Sequence, residues 1–213
     1  MQPKEDLKKC GCALFERRLI WGRSGNISVR VAPDSFLISS TGSNLGLLND
    51  DDLVLCRISQ DTWEGMKQPS MESGLHRGIY QVTENTVAII HSQPFYASLI
   101  ACSQEPLLRP DLLPETMAYL GRIERVPYDH AGSRELALAV AAAARISEVL
   151  ILDNHGVVCR GSSLAAAMLK TEALEFLCRL LVVSARSGIR LRYMGEDVMK
   201  DFGEHLRRTG KQH

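Results

Sequence analysis

Residues 87–94 read VAIIHSQP: four apolar residues rich in β-branched types, then a histidine, a small residue and a glutamine, closed by a proline. That pattern predicts a buried strand whose end carries polar side chains. Side chains two apart on a strand point to the same face, so His91 and Gln93 leave this one side by side. Two neighbouring donors at a strand end suit a single ion. A second stretch, VLILDNHGVVCRG at 149–161, repeats the grammar with an apolar strand, the turn-forming set Asp153-Asn154-His155-Gly156 and another apolar run. Two such tips meeting in a sheet would gather His91, Gln93 and His155 about one point, with a carboxylate still to be supplied.

The chain of 213 residues fits one large domain spanning 1–213. Hydrophobic residues make up 45% and charged residues 23%, the proportions of a chain with a substantial core. Lys+Arg and Asp+Glu balance at 25 each, which removes any global electrostatic argument for nucleic acid or an anionic membrane surface. A small molecule or another protein chain is the expected partner. The N-terminal segment is charged throughout and no apolar run approaches membrane-spanning length, so a cytoplasmic protein is expected. Its six cysteines, at 10, 12, 56, 102, 159 and 178, form no CxxC pair and read as reduced, mostly buried thiols.

In chain order, 4–21 predicts an amphipathic helix with Leu7, Cys10, Leu14 and Phe15 on one stripe, followed by a hairpin of strands at 27–31 and 36–39. The run SSTGSN at 39–44 is a turn whose backbone N–H groups can surround an anion. Asp50-Asp51-Asp52 lacks calcium-loop spacing and reads as a solvated turn before a strand at 53–58. After a connecting strand near 65–68, Pro69-Ser70-Met71-Glu72 opens a helix to about residue 83 with Ser70 as N-cap, another anion-favouring terminus. Glu72 taken alone complements the helix dipole, yet a short return could bring it near His91.

Further on come a short helix at 94–103, a loop at 104–115 marked by Pro106, Pro110 and Pro114, and a helical turn to 120. A strand at 123–127 and a helix at 134–145 precede the second ligand strand, and a long helix capped by Ser162 or Ser163 runs to about 187. The last twenty-odd residues are charged and read as a loosely packed helix. Strands and helices alternate irregularly, which predicts an α/β fold with a mixed sheet covered by helices in place of a doubly wound parallel one. His76 and His130 are assigned structural or surface roles.

With GNIS (25–28), STG (40–42), PSMESGLH (69–76), HSQP with Tyr96 (91–96), PYDHAGSREL (127–136) and NHGVV with Gly161 (154–161) in this order, the chain resembles the class II aldolase/adducin family. The resemblance implies a three-layer α/β sandwich with a central mixed, largely antiparallel sheet flanked by helices, assembled as a homotetramer with active sites at subunit interfaces. It further implies a zinc ion, or another divalent metal such as manganese or cobalt, held by His91, His155 and the residue at Gln93. Glu72 matches the acid that acts as base, and Asn26, Thr41, Gly42 and Ser70 match the group that holds substrate phosphate. Tyr119 lies in the region of a tyrosine that protonates the other fragment from a neighbouring subunit. The implied activity is a lyase reaction on a small phosphorylated ketose through an enediolate.

Two positions depart from the family pattern. Gln93 stands where a metal-binding histidine is expected, and Met71 stands where a polar residue, usually serine, contributes to the phosphate cradle. Glutamine is not among the usual zinc ligands, whereas two histidines with one glutamate form a recognised catalytic set. Three readings follow. The metal is kept, by His91, His155 and either Gln93 or Glu72, in an aldolase, a decarboxylase or an epimerase; or it is lost and the fold serves as a binding module; or the histidines are hydrogen-bonded core residues. The surviving Glu72, His91, His155, Asn26 and Ser70 favour the first.

Overall fold

The structure, a computed structural model, describes residues 2–104 and 108–209. Its frame is an eight-stranded sheet in the order β4-β3-β2-β1-β5-β8-β7-β6. The strands are β1 (Asn26–Ala32), β2 (Ser35–Ser39), β3 (Leu53–Arg57), β4 (Trp63–Glu64), β5 (Ala88–Ser92), β6 (Ile123–Val126), β7 (Val149–Leu152) and β8 (Gly156–Gly161). Among the described strands only the β6–β7 pair is parallel; the other neighbours are antiparallel. The mixed sheet expected from the irregular order of elements is observed, and it is largely antiparallel, as the family resemblance implies.

Alternation along the central strands explains why helices cover both faces. Ile89, Leu150 and Leu152 pack with Leu75 and Ile79 of α2 (Ser73–Val82) and Leu136 and Val140 of α5 (Arg134–Ala144). On the opposite face, Ala88 and Ile90 meet Leu7 and Leu14 of α1 (Pro3–Glu16) and Ala167 and Met168 of α6 (Leu164–Ser187). Val149 and Ile151 share that second face with Leu174 and Leu177 of α6 and with Ala97 and Ile100 of α3 (Phe95–Ala101). Each fully buried leucine or isoleucine contributes about 1.5–3 kcal/mol of hydrophobic stabilisation. Among the described residues the remaining α-helices are α4 (Pro114–Leu120) and α7 (Glu196–Thr209).

Several local expectations shift. Helix α1 stops at Glu16 rather than at 21, because Arg18 takes φ 58° and the chain turns Leu19 and Ile20 back into the core. Phe15 is exposed and packs beside Gly46, while Leu7, Cys10 and Leu14 fill the buried stripe. Strand β4 is Trp63–Glu64 rather than 65–68. Helix α2 begins at Ser73 with Glu72, not Ser70, as its N-cap. The reason is a bridge between Ser40 and Pro69 and the bond from Ser70 N–H to Ser39 O, which hold 69–70 in an extension of the sheet. In the proline-marked loop, Pro106 lies outside the described residues.

Strands β5 and β7 end at the same edge of the sheet, where β8 begins: Ser92 pairs with Val157 and Leu152 with Gly156. Strand β1 starts there too, with Asn26 opposite His91.

Candidate metal centre

Three elements deliver one donor each to that edge. His91 is the fourth residue of β5, His155 closes the turn between β7 and β8, and Glu72 caps α2. Glu72 Oε2 lies 3.1 Å from His91 Nε2, and Glu72 Oε1 lies 3.1 Å from His155 Nε2. The two imidazole rings stand edge to face with centroids 4.8 Å apart. The hairpin can press this close because Asn154 adopts φ 53° and residue 156 is glycine; a Cβ at Gly156 would stand 2.7 Å from Ser92 O. Gln93 and His91 meet as their two-residue spacing predicts, with Gln93 Nε2 2.8 Å from His91 Nε2.

The chemistry of this donor set fits a cation. His91 Nδ1 is 3.0 Å from the carbonyl of Val157; donating its proton there leaves the Nε2 lone pair facing the cluster, the arrangement that orients metal-binding histidines. Glu72 Oε1, Gln93 Oε1 and His155 Nδ1 are buried without a hydrogen-bond partner among the described residues. Buried polar groups are normally satisfied, so three orphans in one place mark a site that awaits something. Donor atoms of Glu72, His91 and His155 all lie within 4.8 Å of one another, and two histidines with one carboxylate are a catalytic zinc set. A half-turn of the Gln93 amide would offer its oxygen to an ion held by His91.

Charge reinforces the arrangement. Burial alone would raise the pKa of Glu72, but the facing His91 and His155 imidazoles outweigh it and hold the carboxyl well below the usual carboxylate range. Burial pulls His91 down while Glu72 pulls it up, and the carboxylate prevails.

The other sequence candidates separate into three places. Asn26 lies beneath the cluster: its Nδ2 donates to Glu72 Oε2 at 2.8 Å and its Oδ1 is 2.6 Å from His76 Nε2. Thr41, Gly42 and Ser70 sit on adjoining loops joined by the Ser40–Pro69 bridge and by the bond from Thr41 N–H to Gln68 O. Ser70 Oγ accepts the Glu72 N–H at 3.3 Å, whereas Gly42 and Met71 N–H have no partner among the described residues. Tyr119 is on α4, which leads into the start of β6 at the opposite end of the sheet, among Arg145, Ser147 and Arg207. Within one chain it does not reach the cluster.

Sequence reading missed His76 as a site neighbour. It is fully buried and bonded to Asn26, and its signal was present in the i, i+4 spacing of Glu72, His76 and Tyr80 along one helix face. His130 is exposed beside Tyr128.

Residues 5–182 match the family described as Class II Aldolase and Adducin N-terminal domain. The chain belongs to that family. It is 34% identical over 184 residues to an L-fuculose phosphate aldolase of Methanocaldococcus jannaschii, covering 86% of this chain and 97% of the relative. It is 30% identical over 201 residues to a 3-oxo-tetronate 4-phosphate decarboxylase of Haemophilus influenzae, covering 93% of this chain and 94% of the relative. Among solved structures, YgbL of Klebsiella pneumoniae superposes with TM-score 0.88 at 31% identity over 94% of this chain and 97% of that one. An L-fuculose 1-phosphate aldolase superposes with TM-score 0.87 at 28% identity, with 96% of each chain covered.

Proposed function

We propose that this class II aldolase-family chain is a divalent-metal lyase that breaks a carbon–carbon bond of a small phosphorylated ketose. The observation that carries the reading is the buried cluster of Glu72, His91 and His155 with its unpartnered donors. Those three side chains would hold the ion, zinc being the first candidate and manganese or cobalt the alternatives, with Gln93 beside His91. A divalent ion there supplies a Lewis acid for a carbonyl oxygen as charge develops on it.

The protein's own groups supply the rest. The facing imidazoles favour the ionised form of Glu72, and its Oε1, 3.1 Å from His155 Nε2 and with no other partner among the described residues, is the oxygen placed to move a proton to or from the carbon next to the carbonyl. Asn26, bonded to Oε2, keeps the carboxylate turned toward the histidines. The free Gly42 and Met71 N–H groups and the Ser70 hydroxyl, close to the start of α2, form the anchor for substrate phosphate, with Thr41 as a wall of that turn. The Met71 side chain is exposed and brings no hydroxyl to that anchor.

Tyr119 as proton donor requires a second chain, in keeping with a homotetramer whose sites lie between subunits. The single continuous sheet supports reading 1–213 as one domain. No described helix is long and apolar enough to cross a membrane. Decarboxylation of a 3-oxo-tetronate 4-phosphate is the second reading, favoured by 30% identity across 93% of the chain to an enzyme of that name. Both reactions expel a carbon fragment and leave the same kind of charge beside a carbonyl.

The test is metal content of the purified protein, followed by assay of the zinc, manganese and cobalt forms against ketose 1-phosphates and 3-oxo-tetronate 4-phosphate. About one ion per chain and turnover of either class supports the reading. A chain that neither retains nor takes up a divalent ion overturns it.

A further inference from the structure

We infer that His76 is a positioning residue which, through Asn26, fixes the orientation of the Glu72 carboxylate, and that Ser28 and Tyr80 complete a one-way hydrogen-bonded chain ending at that carboxylate. The inference rests on Glu72 being the site carboxylate.

The geometry follows from matching two periodicities. Glu72, His76 and Tyr80 are four residues apart at the start of and along α2, a rise of about 6 Å per step. Asn26 and Ser28 are two apart on β1, about 6.8 Å per step, and lie on the sheet face that α2 covers. The two ladders mesh. Tyr80 Oη is 2.8 Å from Ser28 Oγ, Ser28 Oγ is 2.7 Å from His76 Nδ1, His76 Nε2 is 2.6 Å from Asn26 Oδ1, and Asn26 Nδ2 is 2.8 Å from Glu72 Oε2. All five side chains are buried.

The direction of every proton is then determined. An ionised carboxylate only accepts, so the Asn26 amide must turn its Nδ2 to Glu72 and its Oδ1 away. Oδ1 needs a donor, which makes His76 the Nε2–H tautomer. Its Nδ1 must accept, so Ser28 donates to it, and Ser28 Oγ in turn takes the Tyr80 hydroxyl proton. Every donor points toward Glu72. A chain of this kind holds the carboxylate in one pose and favours its charged form. A histidine serving only to fill the core would have no need of a defined tautomer.

The first test reads the wild-type apoprotein, without substrate or metal: nitrogen-15 NMR of His76. The expected signature is a neutral Nε2–H tautomer across neutral pH. A Nδ1–H tautomer overturns the inference outright.

The second test compares His76→Leu, which removes both ring nitrogens, with His76→Gln, whose amide nitrogen can take the place of Nε2–H. Zinc affinity and, where a substrate is known, kcat are expected to fall about 10–100-fold in the leucine variant, with partial recovery in the glutamine variant. KM for the phosphorylated substrate should change much less, since the phosphate anchor is elsewhere. Equal zinc affinity in wild type and leucine variant, or identical losses in both variants at matched folding, refutes the positioning role. Should His76→Leu not fold, Ser28→Ala with Tyr80→Phe breaks the far end of the same chain, and unchanged zinc affinity there counts against the inference. Failure of the whole substrate panel with these tautomer and zinc results intact would count against the proposed reaction and leave the positioning role standing.

Discussion

Two polar clusters, one buried and one partly buried, occupy opposite ends of the central strands and are built on opposite rules. At the far end of β8, all three guanidinium nitrogens of Arg160 are engaged: they donate to Ser147 O, Ala144 O and Thr86 Oγ1 and pair with Glu148 at 3.2 Å. At the other end, four of the five buried side-chain polar atoms without a partner among the described residues belong to Glu72, Ser92, Gln93 and His155. A polar group buried to build structure is satisfied, because leaving it bare costs about 1–3 kcal/mol. A group left bare in an otherwise well-satisfied protein marks where stability is given up for binding. The difference separates a structural cluster from a functional one without reference to any relative.

The sharpest way to break the comparison is to remove one donor from each end. His155→Ala should lower divalent-metal affinity by about 100-fold or more and abolish turnover, while the melting temperature of the metal-free protein stays close to wild type. Metal titration of the stripped protein alongside calorimetry checks both halves. A variant that keeps its metal would show that the bare donors are not ligands. Arg160→Met should do the reverse, destabilising the fold by about 3 kcal/mol through the three deserted acceptors Ser147 O, Ala144 O and Thr86 Oγ1, and leaving metal affinity intact. Urea unfolding measures the first effect, and a change below about 1 kcal/mol would contradict the structural reading of the Arg160 cluster.

A pH effect should follow from His76. Burial, with His91 nearby, pushes its pKa down to about 3, against about 6.5 in an unfolded chain. Between these values the unfolded state binds a proton that the folded state refuses, so stability is lost as pH falls from about 6.5 toward 3, with a slope approaching 1.4 kcal/mol per pH unit from this residue. His76→Gln, which does not titrate, should show a correspondingly flatter unfolding curve over that window. Superimposable slopes would mean that His76 is protonated in the fold. The smallest effect sharpens the site itself: Gln93→His should raise zinc affinity by about tenfold or more, since imidazole replaces a neutral amide beside His91. Unchanged affinity would show that position 93 lies outside the ligand set.

Much of the fold was legible because its signals are local. The β-branched run before His91 and the DNHG turn after β7 could be read as strand tips, and the irregular order of elements excluded a doubly wound sheet. The start of α2 was misplaced because Pro69 and Ser70 carry helix-opening chemistry, yet Ser39 and Ser40 capture them for the sheet. Arg18 likewise ends α1 early with no helix breaker in the sequence, because burying Leu19 and Ile20 outweighs about one and a half further helical turns.

The sequence by itself determined which side chains could bind a metal and that His91 and Gln93 would share a face, since the period of a strand is two. It also carried the family resemblance and the two substitutions that depart from it. Only the tertiary structure decided that Glu72 faces both histidines, that Asn26 lies under the carboxylate with His76 behind it, and that Tyr119 sits at the wrong end of its own chain to serve there. Those facts depend on how α2 lies across β1 and on which strand ends coincide. Contacts between residues 19 to 83 positions apart are set by packing, which local periodicity does not encode.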